Sequence, residues 1–173
     1  MSLRNISKGR NMKKVLERAE TLFYQKRPQG ERCYYALGEG LGIKLFTAFD
    51  AANESFENQK RARRKLARSG LIVPQAYGVI EVAAPEGSLV EYGLVMDHIP
   101  SVSMDTYYGV KWDPRRDKAY PARQENKAQV QMQKANLTML IRGIDHADIH
   151  GANIRKTKNG KTVVIDWDWT RFY

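Results

Sequence analysis

The chain has 173 residues, enough for one domain or two small lobes, and 42% of them are hydrophobic, which excludes a wholly disordered chain. Lys and Arg number 29 against 19 Asp and Glu, a formal net charge of +10. That balance favours an anionic partner without choosing among nucleotide, nucleic acid, phosphorylated sugar, acidic protein and membrane face. The single cysteine, Cys33, excludes an intramolecular disulfide and a cysteine-based zinc site and fits a reducing compartment. No apolar run approaches a membrane span, and the basic opening MSLRNISKGRNMKK has no apolar signal segment.

Within residues 12–25, Val15, Leu16, Ala19, Leu22 and Phe23 recur at helical spacing, although the end of the stretch, TLFYQ, reads equally as a strand. KRPQGER interrupts it with Pro28 and Gly30. RCYYAL and LGIKLF, two β-rich runs across GEG, predict a hairpin. Residues 52–70 predict a helix closed by Ser69 and Gly70, with Phe56, Ala62, Leu66 and Ala67 as a modest apolar stripe. Its remainder is basic: Lys60, Arg61, Arg63, Arg64, Lys65 and Arg68. This face, 60–68, is a candidate seat for an anionic partner, the plainer alternative being a solvated surface. AYGVIEVAA and LVEYGLVMDHI predict two more strands joined at PEGS. Pro100 marks a linker, and 101–123 fits no element. Residues 124–143 predict a long helix carrying Val130, Met132, Leu137, Leu140 and Ile141, and KTVVIDWDW predicts a strand entered by a turn at KNG. The order suits a two-lobed α+β chain.

Between the long helix and that last strand lies GIDHADIHGANI, which crowds two histidines, two aspartates and an asparagine between Asp145 and Asn153. A polar loop closing a helix end is the plain reading. The sharper one is that His146, Asp148 and Asn153 have the spacing H-x-D-x-x-x-x-N of a kinase catalytic loop. Phosphoryl transfer to a hydroxyl needs a carboxylate to accept or orient a proton, the role open to Asp148. It needs a neutral amide oxygen that holds metal without adding charge, which suits Asn153. A second carboxylate must bridge metal and phosphates, and Asp166 follows Asn153 by 13 residues across a hairpin. Upstream, Lys44 sits in GIKLF among apolar neighbours, an unusual place for an ammonium that has no partner.

In this order (hairpin with Lys44, helix, two strands, hinge, long helix, H-x-D-x-x-x-x-N, metal aspartate) nearly the whole chain resembles the protein-kinase-like superfamily. The resemblance implies a two-lobed α+β fold: a five-stranded antiparallel N-lobe at 1–99 and a truncated helical C-lobe at 100–173. It also implies ATP bound between the lobes with Mg²⁺ or Mn²⁺. Lys44 would hold the α/β-phosphates, Asn153 and Asp166 the metal, and Asp148 the acceptor hydroxyl. LVMDHI looks like the hinge, with Met96 deep in the pocket and backbone groups of Asp97, His98 and Ile99 at adenine. HADIHGANI and IDWD are similar to the loops of aminoglycoside, choline and lipopolysaccharide-sugar kinases, the Kdo kinases especially. The brevity resembles minimal effector kinases of pathogenic bacteria and phage kinases. A cytoplasmic location, or delivery into a host cytoplasm, goes with that likeness.

The sequence departs from the pattern in four places. KRPQGER offers only Gly30, with Lys26 or Arg27, as phosphate cover. The expected partner of Lys44 is Glu57, although the family register falls on Gln59 and Glu57 is also placed to meet Arg61. His150 stands where a lysine often does. The sequence stops at Tyr173, seven residues after Asp166, so no activation segment or acceptor platform is expected within it. His146 is expected to support the loop, Trp167 and Trp169 to pack, and Asp168 to be either a third carboxylate or a solvated turn residue. The implied function is an ATP-dependent phosphotransferase, first for protein Ser/Thr and next for a sugar or lipopolysaccharide hydroxyl. The rival is a pseudokinase binding through its basic helix. Tyr107, Tyr108 and Trp112 are available for base stacking, but no nucleic-acid motif matches and nucleic acid is not the expected partner.

Overall fold

Helix α1 (Arg10–Lys26) opens a computed structural model that describes residues 10–26, 34–83, 90–113 and 118–173. Gly30, Arg27, Cys33 and the PEGS turn lie outside the described residues. TLFYQ is the end of α1, not a strand, because Leu22 and Phe23 continue the stripe begun by Val15 and Ala19, and all four are buried. The expected hairpin forms from β1 (Tyr34–Gly38) and β2 (Leu41–Phe46). Gly38, Glu39 and Gly40 turn it with φ of 99°, 53° and 76°, values that glycine tolerates best.

Helix α2 (Phe49–Lys65) starts with Asp50 in its first turn and ends with Arg63, Arg64 and Lys65 in its last, charges that suit the helix dipole. It stops short of the expected Gly70, and the left-handed backbone at Arg68 (φ 67°) and Gly70 (φ 84°) is incompatible with continuation. Strands β3 (Ala76–Ala83) and β4 (Val90–Asp97) complete an antiparallel sheet in the order β1-β2-β4-β3. Among the described residues this sheet has four strands where five were expected.

The chain divides into two compact units. The first takes residues up to Lys60 together with Pro74–His98, and the second takes Arg61–Val73 with Ile99–Tyr173. The last turn of α2 thus belongs to the second unit, whereas a division after residue 99 had put all of α2 in the first. In the first unit the sheet is covered on both faces. On one, α1 packs Val15, Ala19, Leu22 and Phe23 against Leu37, Leu41, Ile43, Tyr77, Val82 and Val95. On the other, Phe56 of α2 packs with Phe46, Ala76, Val79, Leu94 and Met96. Strand alternation sorts β2 between them: Ile43 goes to α1, and Lys44 to the opposite face.

The stretch that fitted no element holds β5 (Val102–Ser103), α3 (Met104–Tyr108) and a hairpin of β6 (Lys111–Asp113) with β7 (Lys118–Tyr120). Ser103 caps α3, its Oγ accepting the Thr106 N–H. Helix α4 (Ala122–Ile141) follows, and then β8 (Ile144–Asp145), β9 (Ile154–Lys156), β10 (Thr162–Val164) and β11 (Arg171–Phe172). The strands form antiparallel sets β10-β9-β5 and β11-β8. Strand β10 is shorter than KTVVIDWDW suggested, because Asp166 adopts φ 65° and leaves the extended region. Helix α4 buries Ala128, Ala135 and Met139, while Val130, Leu137, Leu140 and Ile141 are exposed. The buried trio and the exposed trio 130, 137 and 141 have the same helical spacing on opposite faces, so periodicity alone could not choose between them.

The basic run is largely committed to the fold. Lys60 pairs with Glu57 at 2.7 Å and lies 4.5 Å from the Phe56 ring centre. Within the second unit, the Arg61 guanidinium stacks 4.5 Å over Phe172, and Arg63 donates to the Val73 carbonyl at 2.7 Å. Lys65 Nζ donates to the backbone oxygens of Arg142 and Tyr173 at 3.0 Å and of Gly143 at 3.4 Å. Of these, the Arg142 carbonyl, at the C-cap of α4, is of the kind left without an intrahelical partner. Arg64 and Arg68 are exposed and make no such contact among the described residues. We expect Lys65→Met to lower stability by about 1–2 kcal/mol through the lost charged hydrogen bonds. Arg64→Met should stay within about 0.5 kcal/mol of wild type in the same urea titration.

Candidate active site

Lys44, Glu57, Met96, Asp97 and His98 belong to the first unit; Ile99, His146, Asp148, Asn153 and Asp166 belong to the second. In the ladder of β2 with β4, Lys44 opposes Leu94 and Gly42 opposes Met96. Opposed residues share a face, so Lys44 and Met96 both lie on the α2 side of the sheet. The Lys44 ammonium is 5.1 Å from the centre of the Phe46 ring.

Neither residue considered as the Lys44 partner is turned to it. Glu57 is on the exposed side of α2 with Lys60, so the expected Lys44–Glu57 pair does not form. Gln59 is on the inner side, aligned with buried Ala52, Ser55, Ala62 and Leu66. Its Nε2 donates to the Pro74 carbonyl at 2.9 Å and lies 3.8 Å from Met96 Sδ.

The expected hinge is tightly bonded. Asp97 N–H donates to the Gln75 carbonyl at 2.9 Å, and His98 N–H donates to the Gly40 carbonyl at 2.7 Å. The Asp97 carboxylate accepts from Gln75 N–H at 3.0 Å and from the Tyr77 hydroxyl at 2.6 Å. The amide protons of Asp97 and His98 are therefore used inside the unit. Tyr34, read from sequence merely as a strand residue, enters here. Its hydroxyl is hydrogen-bonded to His98 Nδ1 at 2.9 Å, with the rings stacked 6.1 Å apart. The hairpin register sets Tyr34 opposite Lys44, a relation that no sequence motif announces.

In the second unit the loop between β8 and β9 brings Asp148 and Asn153 together. Asn153 is buried, and its Nδ2 donates to Asp148 Oδ2 at 2.8 Å and to the Asp148 carbonyl at 3.2 Å. With Nδ2 so directed, the amide oxygen is left as the acceptor side of Asn153. His150 Nδ1 accepts the Ala152 N–H at 3.2 Å, which puts the ring proton on Nε2, 3.4 Å from Asp148 Oδ2. Both donors converge on Oδ2, and Oδ1 has no partner among the described residues. The loop is held in an uncommon backbone: Ala147 has φ 59°, and Asp148 N–H donates to the His146 carbonyl at 2.8 Å.

Asp166 is set by its neighbour. One step past the Val164–Ile154 pair, Ile165 N–H donates to the Asn153 carbonyl at 3.0 Å. The Ile165 carbonyl in turn is bonded to His146 Nε2 at 2.9 Å. Asp166 then leaves the ladder at φ 65°, a left-handed conformation that Asp tolerates better than most residues. Trp167 is buried and meets His146 edge-on at 4.7 Å, whereas Trp169, expected to pack, is 76% exposed. The Asn153 amide oxygen and the Asp166 carboxylate are hard oxygen donors of the kind Mg²⁺ takes. Two such donors do not close a site by themselves, and among the described residues no group of three or more His, Cys, Asp or Glu could hold a metal.

No protein-family model matches the chain, and no curated protein sequence matches it. Among the solved structures that match is one described as WaaP in complex with acyl carrier protein. It is 14% identical, with a TM-score of 0.49, over 93% of this chain and 70% of that one. No helix among the described residues is long and apolar enough to cross a membrane.

Burial lowers the affinity of His146 for a proton below the ordinary imidazole value, against the opposing pull of the Ile165 carbonyl and of Asp166 and Asp148. Its Nδ1 has no partner among the described residues, so a second ring proton would be buried without an acceptor. The unfolded chain binds that proton more readily, so this term favours folding above about pH 6.5 and is lost as the pH falls below it. We expect urea midpoints to fall between pH 7 and pH 5, and His146→Gln to flatten that part of the slope.

Proposed function

We propose that the chain is an ATP-dependent phosphotransferase that moves the γ-phosphoryl group to a hydroxyl, with a protein serine or threonine as acceptor. The observation that carries the reading is the Asp148–Asn153 hydrogen bond in a loop whose backbone also fixes the residue before Asp166. In this reading Asp148 keeps Oδ2 engaged and offers Oδ1 to the acceptor hydroxyl, taking or orienting its proton as the new O–P bond forms and ADP leaves. Lys44 holds the α/β-phosphates. The Asn153 amide oxygen and the Asp166 carboxylate hold Mg²⁺ or Mn²⁺, which when bound supplies charge neutralisation on the phosphates. Met96 and the backbone of Asp97, His98 and Ile99 face the base. His146 stays neutral and holds the Ile165 carbonyl. Catalysis is then mostly positioning and charge stabilisation.

A sugar or lipopolysaccharide hydroxyl is the second acceptor class, favoured by His150 beside Asp148 in place of a lysine. A pseudokinase that binds without transfer is favoured by a different observation: Glu57 and Gln59 are both committed away from Lys44.

Radiolabel transfer from ATP to protein and sugar acceptors, with nucleotide binding followed by thermal shift, separates the three. Asp148→Ala should reduce transfer by about 10²-fold or more while sparing nucleotide binding. Asp166→Ala should abolish the metal dependence of binding. Metal-dependent nucleotide binding without transfer to any acceptor selects the pseudokinase, and wild-type protein that binds no nucleotide overturns the reading.

A further inference from the structure

Three parts of the first unit converge on Gly42. It lies two residues before Lys44 in β2, opposes Met96 in the ladder, and is buried. The third part is Tyr34 from β1, an edge strand of the sheet, whose ring comes down on Gly42. A Cβ added at Gly42 would lie 2.1 Å from the Tyr34 hydroxyl oxygen, 2.7 Å from Cζ and 3.0 Å from Cε2. The ring thus occupies the space that a side chain at this position would take. Its hydroxyl is anchored on His98 Nδ1 at 2.9 Å. Lys44, Met96 and His98 are three of the residues assigned above to the nucleotide, and Tyr34 rests among them on the same face.

We propose that Tyr34 is a gate on the nucleotide-binding face of the first unit. Closed, its ring covers Gly42 and its hydroxyl holds His98; open, the ring leaves both and frees the sheet face for a purine. The proposal rests on the phosphotransferase reading and adds a regulatory element to that site. Flat stacking of a base on the sheet needs the surface over Gly42 clear, and an aromatic ring and a purine cannot share that space. Tyr34 is 36% exposed, so rotation about its side-chain bonds takes the ring into solvent without disturbing a sealed core. A ligand that binds only the open form has its apparent affinity reduced by the fraction open.

The test is titration of the full chain with ATP and Mg²⁺ by calorimetry, comparing wild type with Tyr34→Ala, Gly42→Ala and Tyr34→Phe. Tyr34→Ala removes the ring, and Kd should tighten about tenfold, as for a gate closed nine-tenths of the time. Gly42→Ala keeps the ring but evicts it with a methyl group. Gly42 is not in the left-handed region, so alanine suits its backbone; because the methyl group also takes space over the sheet, this variant is read by its ligand-free His98 Nδ1 resonance, which should match that of Tyr34→Phe. Tyr34→Phe keeps the ring, loses the hydroxyl that is bonded to His98, and should tighten binding by less. In ¹⁵N spectra of the wild type, ATP should move the His98 Nδ1 resonance to the position it has in ligand-free Tyr34→Phe. Binding that weakens in Tyr34→Ala would make the ring a stacking platform and overturn the gate. Equal affinity in wild type and Tyr34→Ala, or nucleotide bound with the His98 resonance unmoved, also overturns the gate while leaving the phosphotransferase reading intact. Absence of nucleotide binding in every form overturns both.

Discussion

Ile165 commits both of its backbone groups to the loop between β8 and β9. Its N–H is given to the Asn153 carbonyl, and its carbonyl is bonded to His146 Nε2. Each bond is individually modest, about 1 kcal/mol net. Together they tie the end of the β9–β10 hairpin to both sides of a loop that is otherwise irregular. The positions of Asn153, Asp148 and Asp166 are consequences: Asn153 is one partner of Ile165, Asp148 accepts from Asn153, and Asp166 is the next residue along the chain. The left-handed backbone at Ala147 and Asp166 is maintained at the two places where this bonding leaves the chain no extended path. A neutral His146 fits the scheme, because its one ring N–H is used on Ile165 and Trp167 seals the ring edge.

The first unit solves a different problem. Its sheet is covered by α1 on one face and approached by α2 on the other, so a strand lysine must find its place on the second. On that face the helix offers no carboxylate. The inward positions of α2 are Ala52, Ser55, Gln59, Ala62 and Leu66, and Gln59 serves the Pro74 carbonyl. The acids of this helix are at exposed positions where Lys60 is the available cation. The consequence is that no glutamate of α2 is turned toward the Lys44 face of the sheet.

What the sequence made legible was local. The hairpin around GEG, the spacing of His146, Asp148 and Asn153, and the return of Asp166 across KNG depend on short stretches and turn residues. What it hid depended on which of two equivalent faces would be buried. Helix α4 carries two stripes of the same period, and the smaller residues won because the second unit packs Met104, Ile144, Ile154 and Trp167 closely against that helix region. The same ambiguity sent Glu57 outward and Gln59 inward. Tyr34 was missed for a related reason: its role comes from a cross-strand register and from a missing Cβ at Gly42, neither of which is a motif. Residues 101–123 resisted assignment because their elements are two to five residues long and take their order from tertiary bonds, such as Arg155 to Ser101.

Charge shows the same difference between composition and placement. A net charge of +10 and six cations between Lys60 and Arg68 invite the picture of an anion-binding helix. A cation attracts a ligand only to the extent that its donors are not already satisfied. Lys65 has donors directed at three backbone oxygens, Arg63 at one, Arg61 is laid on an aromatic ring, and Lys60 is paired. Recruiting Lys65 to a phosphate would take its donors from the backbone oxygens of Arg142, Gly143 and Tyr173, a loss that sets the new contact against existing ones. Arg64 and Arg68 alone are held by nothing among the described residues, and two exposed arginines, one in the last turn of α2 and one just beyond it, are a thin basis for specific recognition. The basic run is therefore better understood as the means by which the end of α2 is fastened within the second unit.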